Sequence, residues 1–441
     1  MTDVHLGLDD TDSPRMGCTT YIAALLVEKL EALGVQFLDY PNLIRLNPNA
    51  PWKTRGNGAL CLRFSCDEDL LDEILCIAVD AVERHSDLEH GNTHPGVVML
   101  VGDVPEAVRR FSERAIRGLV SLGETCALIR RFGARAVGLK KGRGVIGALA
   151  AIGELLTGDH TYELLAYRTR ENVGKPRKVD AKSVIEMDRK TAPKTFNNID
   201  PETGRVLITP HGPDPVLYGI RGESAEVVKL AHRMIRVGEP IERWVIFRTN
   251  QGTDAHLTPV SSISELKPYH PVIVKGVVSR APTVIPGGHV FFYISDESGE
   301  VQCAAFEPTG LLAKVSRMLE SGDLVEVYGA VRPPEGGHPM TINLEKLRVL
   351  ALAPKFLFVN PPCPKCGRRM ESMGRNKGFR CRKCGFRDPK ARKIRVEVQR
   401  SLKPGLYITS PRSQRHLTKP YRRYGQEKSG RPKAMVEVWH S

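Results

Sequence analysis

The chain opens on a run too short for a helix: His5-Leu-Gly-Leu-Asp9 reads as a brief buried strand that ends in Asp10-Thr11-Asp12-Ser13. Beyond Gly17-Cys18-Thr19-Thr20 the apolar positions fall three and four residues apart, which predicts an amphipathic helix through Leu33 that stops at Gly34. The stretch Arg45–Gly58 is rich in loop formers, and Ala59–Phe64 behind it reads as a strand. Helix Glu68–Arg84, strand Gly96–Val101 and helix Pro105–Val120 follow, then a short segment Ala134–Leu139 and an apolar helix reaching Ile152. Further strand and helix segments lie around Val206–Ile235, with Glu223-Ser224 opening a helix over Ala225–Ile235. These alternating elements predict α/β units that could interleave before Leu266.

From Pro271 to Leu350 the period shortens to two. Strands are expected over Val272–Arg280, Val290–Asp296, Val301–Glu307, Leu324–Val331 and Met340–Val349, with a helix Leu311–Leu319 between the third and fourth. That is the order of an OB-fold β-barrel. Asp296-Glu297-Ser298-Gly299 supplies a turn, and Gly336-Gly337 joins the last two strands. Val272, Val274, Val277, Phe292, Ile294, Val325, Val327 and Ile342 are the expected interior. Phe291, Tyr293, Phe306 and Tyr328 are candidates for a base-stacking face, although core is the commoner role for such residues.

At 441 residues the chain exceeds one hydrophobic core, and about three or four domains are expected. Met1–Ser13 carries four aspartates and no apolar run of signal-peptide type, and no stretch of about 18 uncharged apolar residues occurs. Six of the ten cysteines are scattered and four form two Cys-x-x-Cys pairs, which suits a reducing compartment with a metal site. A cytoplasmic protein without membrane function is expected.

The net charge of +15 is unevenly placed. Residues 363–441 hold 23 Lys and Arg against 5 Asp and Glu, or +18, so the first 362 residues sum to −3. The basic part reads either as a solvated or disordered tail or, in preference, as a surface for a polyanion. Within it Cys363-Pro-Lys-Cys366 and Cys381-Arg-Lys-Cys384 stand fourteen residues apart, each pair followed by a glycine, Gly367 or Gly385. Two such knuckles supply the four thiolates of a structural Zn²⁺ site, whereas a redox dithiol would need one pair. Beyond them Tyr407, Tyr421, Tyr424 and Trp439 alternate with Arg412, Arg415, Lys419, Arg422, Arg423 and Lys433, a pattern that can hold RNA backbone and stack on unpaired bases.

Candidate chemistry lies near the other end. Asp9, Asp10 and Asp12 repel one another unless a cation sits among them, and oxygen ligands suit Mg²⁺ on ATP phosphates; a solvated turn is the bland alternative. Thr19 and Thr20 put hydroxyls where a helix start can hold an anion. Lys53, Arg55 and Asn57 lie in the glycine-bearing loop before the second strand, which suits phosphoryl groups or a structural hairpin. Gly142, Arg143, Gly144 and Gly147 match Gly-x-Gly-x-x-Gly, yet the preceding segment is short and Glu163 does not end an apolar strand, so a phosphate-binding or tight-packing turn is the better reading than a dinucleotide fingerprint. No Walker A loop is present. Asp214, Tyr218 and Glu223 offer carboxylates and an aromatic wall for a cationic substrate.

Together Gly7–Ser13, Cys18-Thr-Thr20, Arg45–Gly58, Gly142–Gly153 and His211–Ser224, followed by barrel and ribbon, resemble the archaeal isoleucine-tRNA 2-agmatinylcytidine synthetase (TiaS) family over nearly the whole chain. The resemblance implies a kinase-like catalytic domain, a ferredoxin-like domain, an OB fold and a zinc ribbon. It also implies a ligase that uses ATP to join agmatine to the wobble cytidine of the CAU-anticodon isoleucine tRNA, so that AUA is read instead of AUG. Asp9, Asp10 and Asp12 with Thr19 match the family's active-site residues. Expected domains are 1–61 with 122–195 (ATP-using), 62–121 with 196–265 (ferredoxin-like), 266–352 (OB fold) and 358–441 (ribbon with basic extension). Lys53 and Arg55 are expected at the reaction centre, Asn57, Gly142, Arg143 and Gly144 on the ATP side, with no obligate protein partner. A non-catalytic OB and zinc-ribbon protein that binds single-stranded nucleic acid is the rival reading; it leaves the aspartates unexplained.

Overall fold

The structure is a computed structural model describing residues 1–441. Its first body is built on β1 (Thr2–Asp9), α1 (Thr19–Ala32), β2 (Asn42–Arg45), β3 (Gly58–Cys66), α2 (Leu71–His85), β4 (Gly96–Val101), α3 (Glu106–Arg117), β5 (Arg135–Gly138) and α4 (Val145–Gly153). The chain then adds β6 (Thr161–Arg168), β7 (Thr195–Phe196), β8 (Val216–Gly222), α5 (Ala225–Met234) and β9 (Ile241–Thr249). All nine strands join one ten-stranded sheet in the order β5-β4-β1-β3-β2-β9-β6-β8-β7, with the short strand Gln36–Phe37 pairing to β3. The two sequence halves meet at the parallel pair β2–β9, where Arg248 faces Asn42.

This pairing differs from the expected interleaving of residues 1–61 with 122–195 and of 62–121 with 196–265. Strand β4 hydrogen-bonds to β1 over Asp9–Gly96 to Val4–Val101, so residues 62–121 complete the sheet begun by residues 1–61. Helix α4 packs on β1, β3 and β4.

Close approach explains the glycines there. A Cβ on Gly7 would lie 2.2 Å from the Ala148 carbonyl oxygen, and one on Gly96 would lie 2.1 Å from the Val145 nitrogen. With both absent, the apolar helix Val-Ile-Gly-Ala-Leu-Ala-Ala-Ile-Gly lies directly on the sheet and removes Ala148, Leu149 and Ile152 from water. Its last carbonyls, those of Ala151 and Ile152, accept from Arg63 Nη2 at 3.2 and 3.0 Å, which satisfies helix-end groups that burial would otherwise orphan.

The second body is a closed barrel of β10 (Pro271–Val284), β11 (Val290–Asp296), β12 (Gly299–Ala305), β13 (Leu324–Arg332) and β14 (Thr341–Ala351), with α6 (Leu311–Ser316) between the third and fourth strands. The pairs β10–β11–β12–β14–β13 and β13–β10 close it, and β12 runs parallel to β14. Alternation placed the interior well except at Val277, which is 40 % exposed because the buried face of β10 runs through Val272, Val274, Gly276 and Val278, leaving 277 on the opposite face. Tyr328 also leaves the expected stacking face: it is 8 % exposed and its hydroxyl bonds Glu326. Phe306, at 37 %, remains open beside Phe291.

After the barrel, β15 (Lys355–Val359) pairs with β16 (Ile394–Val398) and frames the cysteine-bearing ribbon. The extension beyond it is an ordered strap rather than a free tail. Strand β17 (Gly405–Ile408) pairs with β14, and the chain then crosses to the first sheet and ends against β9, where Trp244 and Ser441 exchange backbone hydrogen bonds. Strap cations meet acids on the way: Arg412 bonds Asp200 at 2.7 Å, Arg422 bonds Asp188 at 2.6 Å, and the fully buried Arg423 clasps Asp159 at 2.8 Å and Glu223 at 2.7 Å. Trp439 is core, edge-on to Phe37 and Tyr40. No helix of the chain is long and apolar enough to cross a membrane.

Candidate active site and metal centre

A cavity of about 700 Å³ opens at the end of β1 and is lined by residues from both halves of the sheet and from the strap. Asp9 is the last residue of β1, and Asp10 turns the chain with φ 59°. Asp9 Oδ2 lies over Gly147, where a Cβ would approach it to 1.8 Å. Burial pushes the Asp9 carboxyl well above its ordinary range and neighbouring Asp10 adds to this; burial also raises Asp10, to about 6, against the opposing pull of Arg143. Asp10 Oδ2 accepts from the His94 amide and from Arg143 Nη2, each at 3.2 Å.

Asp12 is engaged differently. It accepts from Thr54 Oγ1 at 2.8 Å and Arg55 Nε at 2.5 Å, and Arg55 continues to Asp214 at 3.0 Å and the Gly17 carbonyl at 2.7 Å. The aspartate expected to share a magnesium ion is thus held in an arginine-centred clamp. Arg55 and Asn57 adopt left-handed backbone (φ 35° and 50°), and Asn57 Nδ2 fixes that turn on the Asn47 carbonyl at 2.7 Å. Thr19 starts α1 and its hydroxyl lies 2.9 Å from that of Thr11. Lys53 bonds the Arg55 carbonyl at 2.8 Å.

The structure therefore brings Asp9, Asp10, Asp12, Thr19, Lys53, Arg55, Asn57, Arg143 and Asp214 to one cavity. Gly142 and Gly144 are not on its wall. Gly142 has φ 61° against Gly138, and a Cβ on Gly144 would meet the Gly96 nitrogen at 2.4 Å, so both are there for packing.

Tyr218 and Glu223 are likewise not on the cavity wall. Tyr218 is fully buried with its hydroxyl 2.8 Å from His232 Nδ1, and Glu223 binds Arg423 and Lys428 of the strap. Burial, with Arg233 nearby, lowers His232 to about 4 from an ordinary 6.5. The unfolded chain then binds the extra proton between these values, so this contribution to stability is full above about pH 6.5 and is lost as pH falls toward 4. Relative to His232→Gln, the unmodified chain should lose about 1–2 kcal/mol between pH 7 and 5, measurable by urea unfolding; parallel profiles would contradict it.

Sequence reasoning missed Glu163 and Arg221 as cavity residues. They face one another across β6 and β8, with Arg221 Nε bonding Glu163 at 2.9 Å, and their signal was charge inside otherwise apolar strands. It also missed His416, whose Nδ1 lies 2.9 Å from Gln251 Oε1 and 3.1 Å from Arg221 Nη2. Burial, with Arg45, Arg221 and Lys53 around it, pushes this imidazole well below its ordinary value, so it presents a neutral ring.

Far from the cavity in sequence, Cys363, Cys366, Cys381 and Cys384 gather with their sulfurs within 4.8 Å of one another, the pairs 363–384 and 366–381 at 3.5 Å. Edges of this size fit a tetrahedron around one ion at about 2.3 Å from sulfur. Lys365, Arg368, Arg369, Arg375, Lys377, Arg380, Arg382 and Lys383 are all exposed around it, and of these only Arg382 meets an acid, Glu371 at 2.6 Å, so the ribbon keeps more free positive surface than the strap.

Comparison with known proteins agrees with this architecture. Residues 5–141 match the TiaS TCKD domain, 142–256 the TiaS FLD domain, 272–350 an OB-fold nucleic acid binding domain and 360–402 the TiaS C-terminal zinc ribbon domain. The isoleucine-tRNA 2-agmatinylcytidine synthetase TiaS of Staphylothermus marinus is 44% identical over 451 residues, covering 100% of this chain and 98% of the relative. That of Pyrococcus horikoshii is 47% identical over 417 residues, covering 95% and 96%. A crystal structure of TiaS in complex with its isoleucine tRNA and ATP superposes with a TM-score of 0.84 at 41% identity, covering 95% of this chain and 97% of that one. A complex of TiaS with the same tRNA, AMPCPP and agmatine gives 0.84 at 39% with the same coverage.

Fold and site define a multidomain enzyme that couples a carboxylate- and arginine-lined cavity to a nucleic-acid-binding barrel and a zinc ribbon. The chain belongs to the TiaS family of isoleucine-tRNA 2-agmatinylcytidine synthetases.

Proposed function

We propose that this chain uses ATP to join agmatine to C2 of the wobble cytidine of the CAU-anticodon isoleucine tRNA, giving 2-agmatinylcytidine and changing decoding from AUG to AUA. The observation that carries it is the single cavity holding Asp9, Asp10, Thr19 and Arg143 in a chain of this family. A binding module alone would leave that cavity without a task.

The C2 oxygen of cytosine is a poor leaving group. Transfer of a phosphoryl group from ATP to that oxygen, directly or through the Thr19 hydroxyl, prepares its departure as inorganic phosphate. The deprotonated primary amine of agmatine attacks C2, the C–O bond breaks, and a new C–N bond replaces it. Arg55 and Arg143 offset the charge that develops on the transferring group. Asp9 and Asp10 both line the cavity and the Asp10 charge adds to burial in raising Asp9; carboxylate oxygens of this kind suit a hard cation, and they would hold Mg²⁺, which supplies charge neutralisation on the triphosphate. Asp12 instead orients Arg55. Of the three agmatine candidates only Asp214 lines the cavity, and there it is already paired with Arg55 at 3.0 Å and Arg177 at 3.3 Å. An unpaired loop base reaches such a site at small energetic cost.

Labelled phosphate tests the chemistry. With γ-labelled ATP and tRNA but no agmatine, the label should become bound to the RNA or to Thr19; absence of both in protein that binds tRNA would overturn the phosphoryl step. The cysteine cluster would carry Zn²⁺ as a structural ion, with its thiolates forming the fold of the ribbon. Accordingly Cys381→Ser should weaken tRNA binding by about tenfold or more while RNA-independent ATP hydrolysis persists. Loss of hydrolysis in the same variant would make the ribbon part of the catalytic fold. We place the protein in the cytoplasm.

A further inference from the structure

A second cavity of about 530 Å³ adjoins the first and shares Arg45, Lys53, Arg55, Gly56 and His416 with it. It forms where three distant parts of the chain converge: the 45–58 loop, Arg332 at the end of barrel strand β13, and Arg415 on the strap. Five cationic side chains line it and no carboxylate does. Two of the five already have partners. Arg55 is clamped by Asp12 and Asp214, and Arg415 bonds Asn49 at 2.5 Å and stands 3.5 Å from Glu345.

The other three pair with no carboxylate. Arg45 lies across Gly56 and Gly58, whose missing Cβ atoms would stand 2.8 Å from its Nη1, and its Nε is buried without a hydrogen-bond partner. Lys53 meets only the Arg55 carbonyl, and burial together with Arg415 and Arg332 lowers its ammonium, the signature of positive charge that no anion on the chain offsets. Arg332 is exposed at the rim. A buried cationic donor without an acceptor is costly, and an oxyanion from outside relieves it.

We propose that this groove is a phosphodiester port: Arg45, Lys53 and Arg332 grip the RNA backbone phosphate adjoining the nucleotide that enters the catalytic cavity. The proposal rests on RNA being the substrate. A phosphate oxyanion could also come from ATP, but a triphosphate brings a metal ion and belongs beside Asp9 and Asp10, whereas the groove has no carboxylate to hold one. It runs instead from the cavity toward the nucleic-acid-binding barrel, as a strand leaving a flipped base must. The strap then has a second role, since it delivers Arg415 and His416 to the seam between catalytic body and barrel.

Arg332→Ala is the direct test, because the exposed guanidinium makes no bond that folding needs. Binding of the full-length protein to a CAU-anticodon isoleucine tRNA, followed by anisotropy across a salt series, should weaken about tenfold, and the slope of log K on log salt should shrink by about 0.7–0.9. Arg332→Lys should restore most of the slope. On tRNA carrying an uncharged methylphosphonate on one side of the wobble nucleotide, the penalty of Arg332→Ala should vanish. Calorimetric ATP affinity without RNA should not change.

Unaltered affinity and slope, or a penalty that persists with either methylphosphonate, would refute the port. Weaker ATP binding with normal tRNA binding would assign the groove to the triphosphate. If the coupling appears but no agmatine enters the RNA, the port stands and the proposed reaction falls; if agmatine enters without coupling, the reaction stands and the port falls.

Discussion

Asp10→Asn should lower ATP turnover by about a hundred- to a thousandfold while leaving tRNA affinity within about twofold. The substitution keeps shape and removes one negative charge from a carboxylate that binds the His94 amide and Arg143 at the mouth of the cavity. Without that charge Arg143 loses its ionic partner, keeping only its bonds to Asn92, and the proposed metal loses a ligand, so two electrostatic contributions to phosphoryl transfer weaken together. RNA contacts are expected from the barrel, the ribbon and the basic groove, none of which Asp10 lines. Parallel ADP-release and anisotropy measurements check this. Lost tRNA binding with retained turnover would refute the role given to Asp10.

Gly147→Ala is expected to cost about a hundredfold in turnover with little loss of stability, because displacement of a reacting group by about 1 Å carries a penalty of that order. The new Cβ would stand 1.8 Å from Asp9 Oδ2 and 2.5 Å from its Cγ, closer than any real contact, so the carboxylate must turn away. Alanine is otherwise favoured over glycine inside a helix by about 1 kcal/mol, which offsets part of the strain. Thermal unfolding near that of the unmodified protein beside collapsed activity is the expected pair of results. Full activity would show that the Asp9 orientation seen here is not needed for catalysis.

Legibility in the sequence followed the range of the interactions. The barrel strands were readable because alternation is a local record of one buried face, and the strand expected over Val290–Asp296 has those same ends in the structure. The thiolate cluster was readable from spacing, since its chemistry is confined to two short knuckles. Gly142, Arg143, Gly144 and Gly147 were ambiguous because one glycine pattern serves phosphate binding and close packing alike. Contacts from Gly96 and Asp9, far away in sequence, decide for packing at Gly144 and Gly147, whereas Arg143 does reach the cavity.

The strap was misread for the same reason. Its cations look unpaired along the chain, but their acids, Asp159, Asp188, Asp200 and Glu223, lie some two hundred residues earlier. Tyr218 and Glu223 sat in a stretch of polar and glycine residues that promised a binding loop. Strand geometry puts the Tyr218 side chain in the core against His232, and the strap covers Glu223. Conversely Glu163 and Arg221 were passed over although a charged pair inside apolar strands needs a reason, and the cavity supplies it.

The joining of agmatine to one cytidine is tested most directly by mass spectrometry of nucleosides from a CAU-anticodon isoleucine tRNA transcript incubated with the protein, Mg²⁺, ATP and agmatine. A cytidine heavier by agmatine minus water, dependent on ATP and absent with Asp10→Asn, is the expected result. Unmodified cytidine from protein that binds this tRNA and ATP would contradict it.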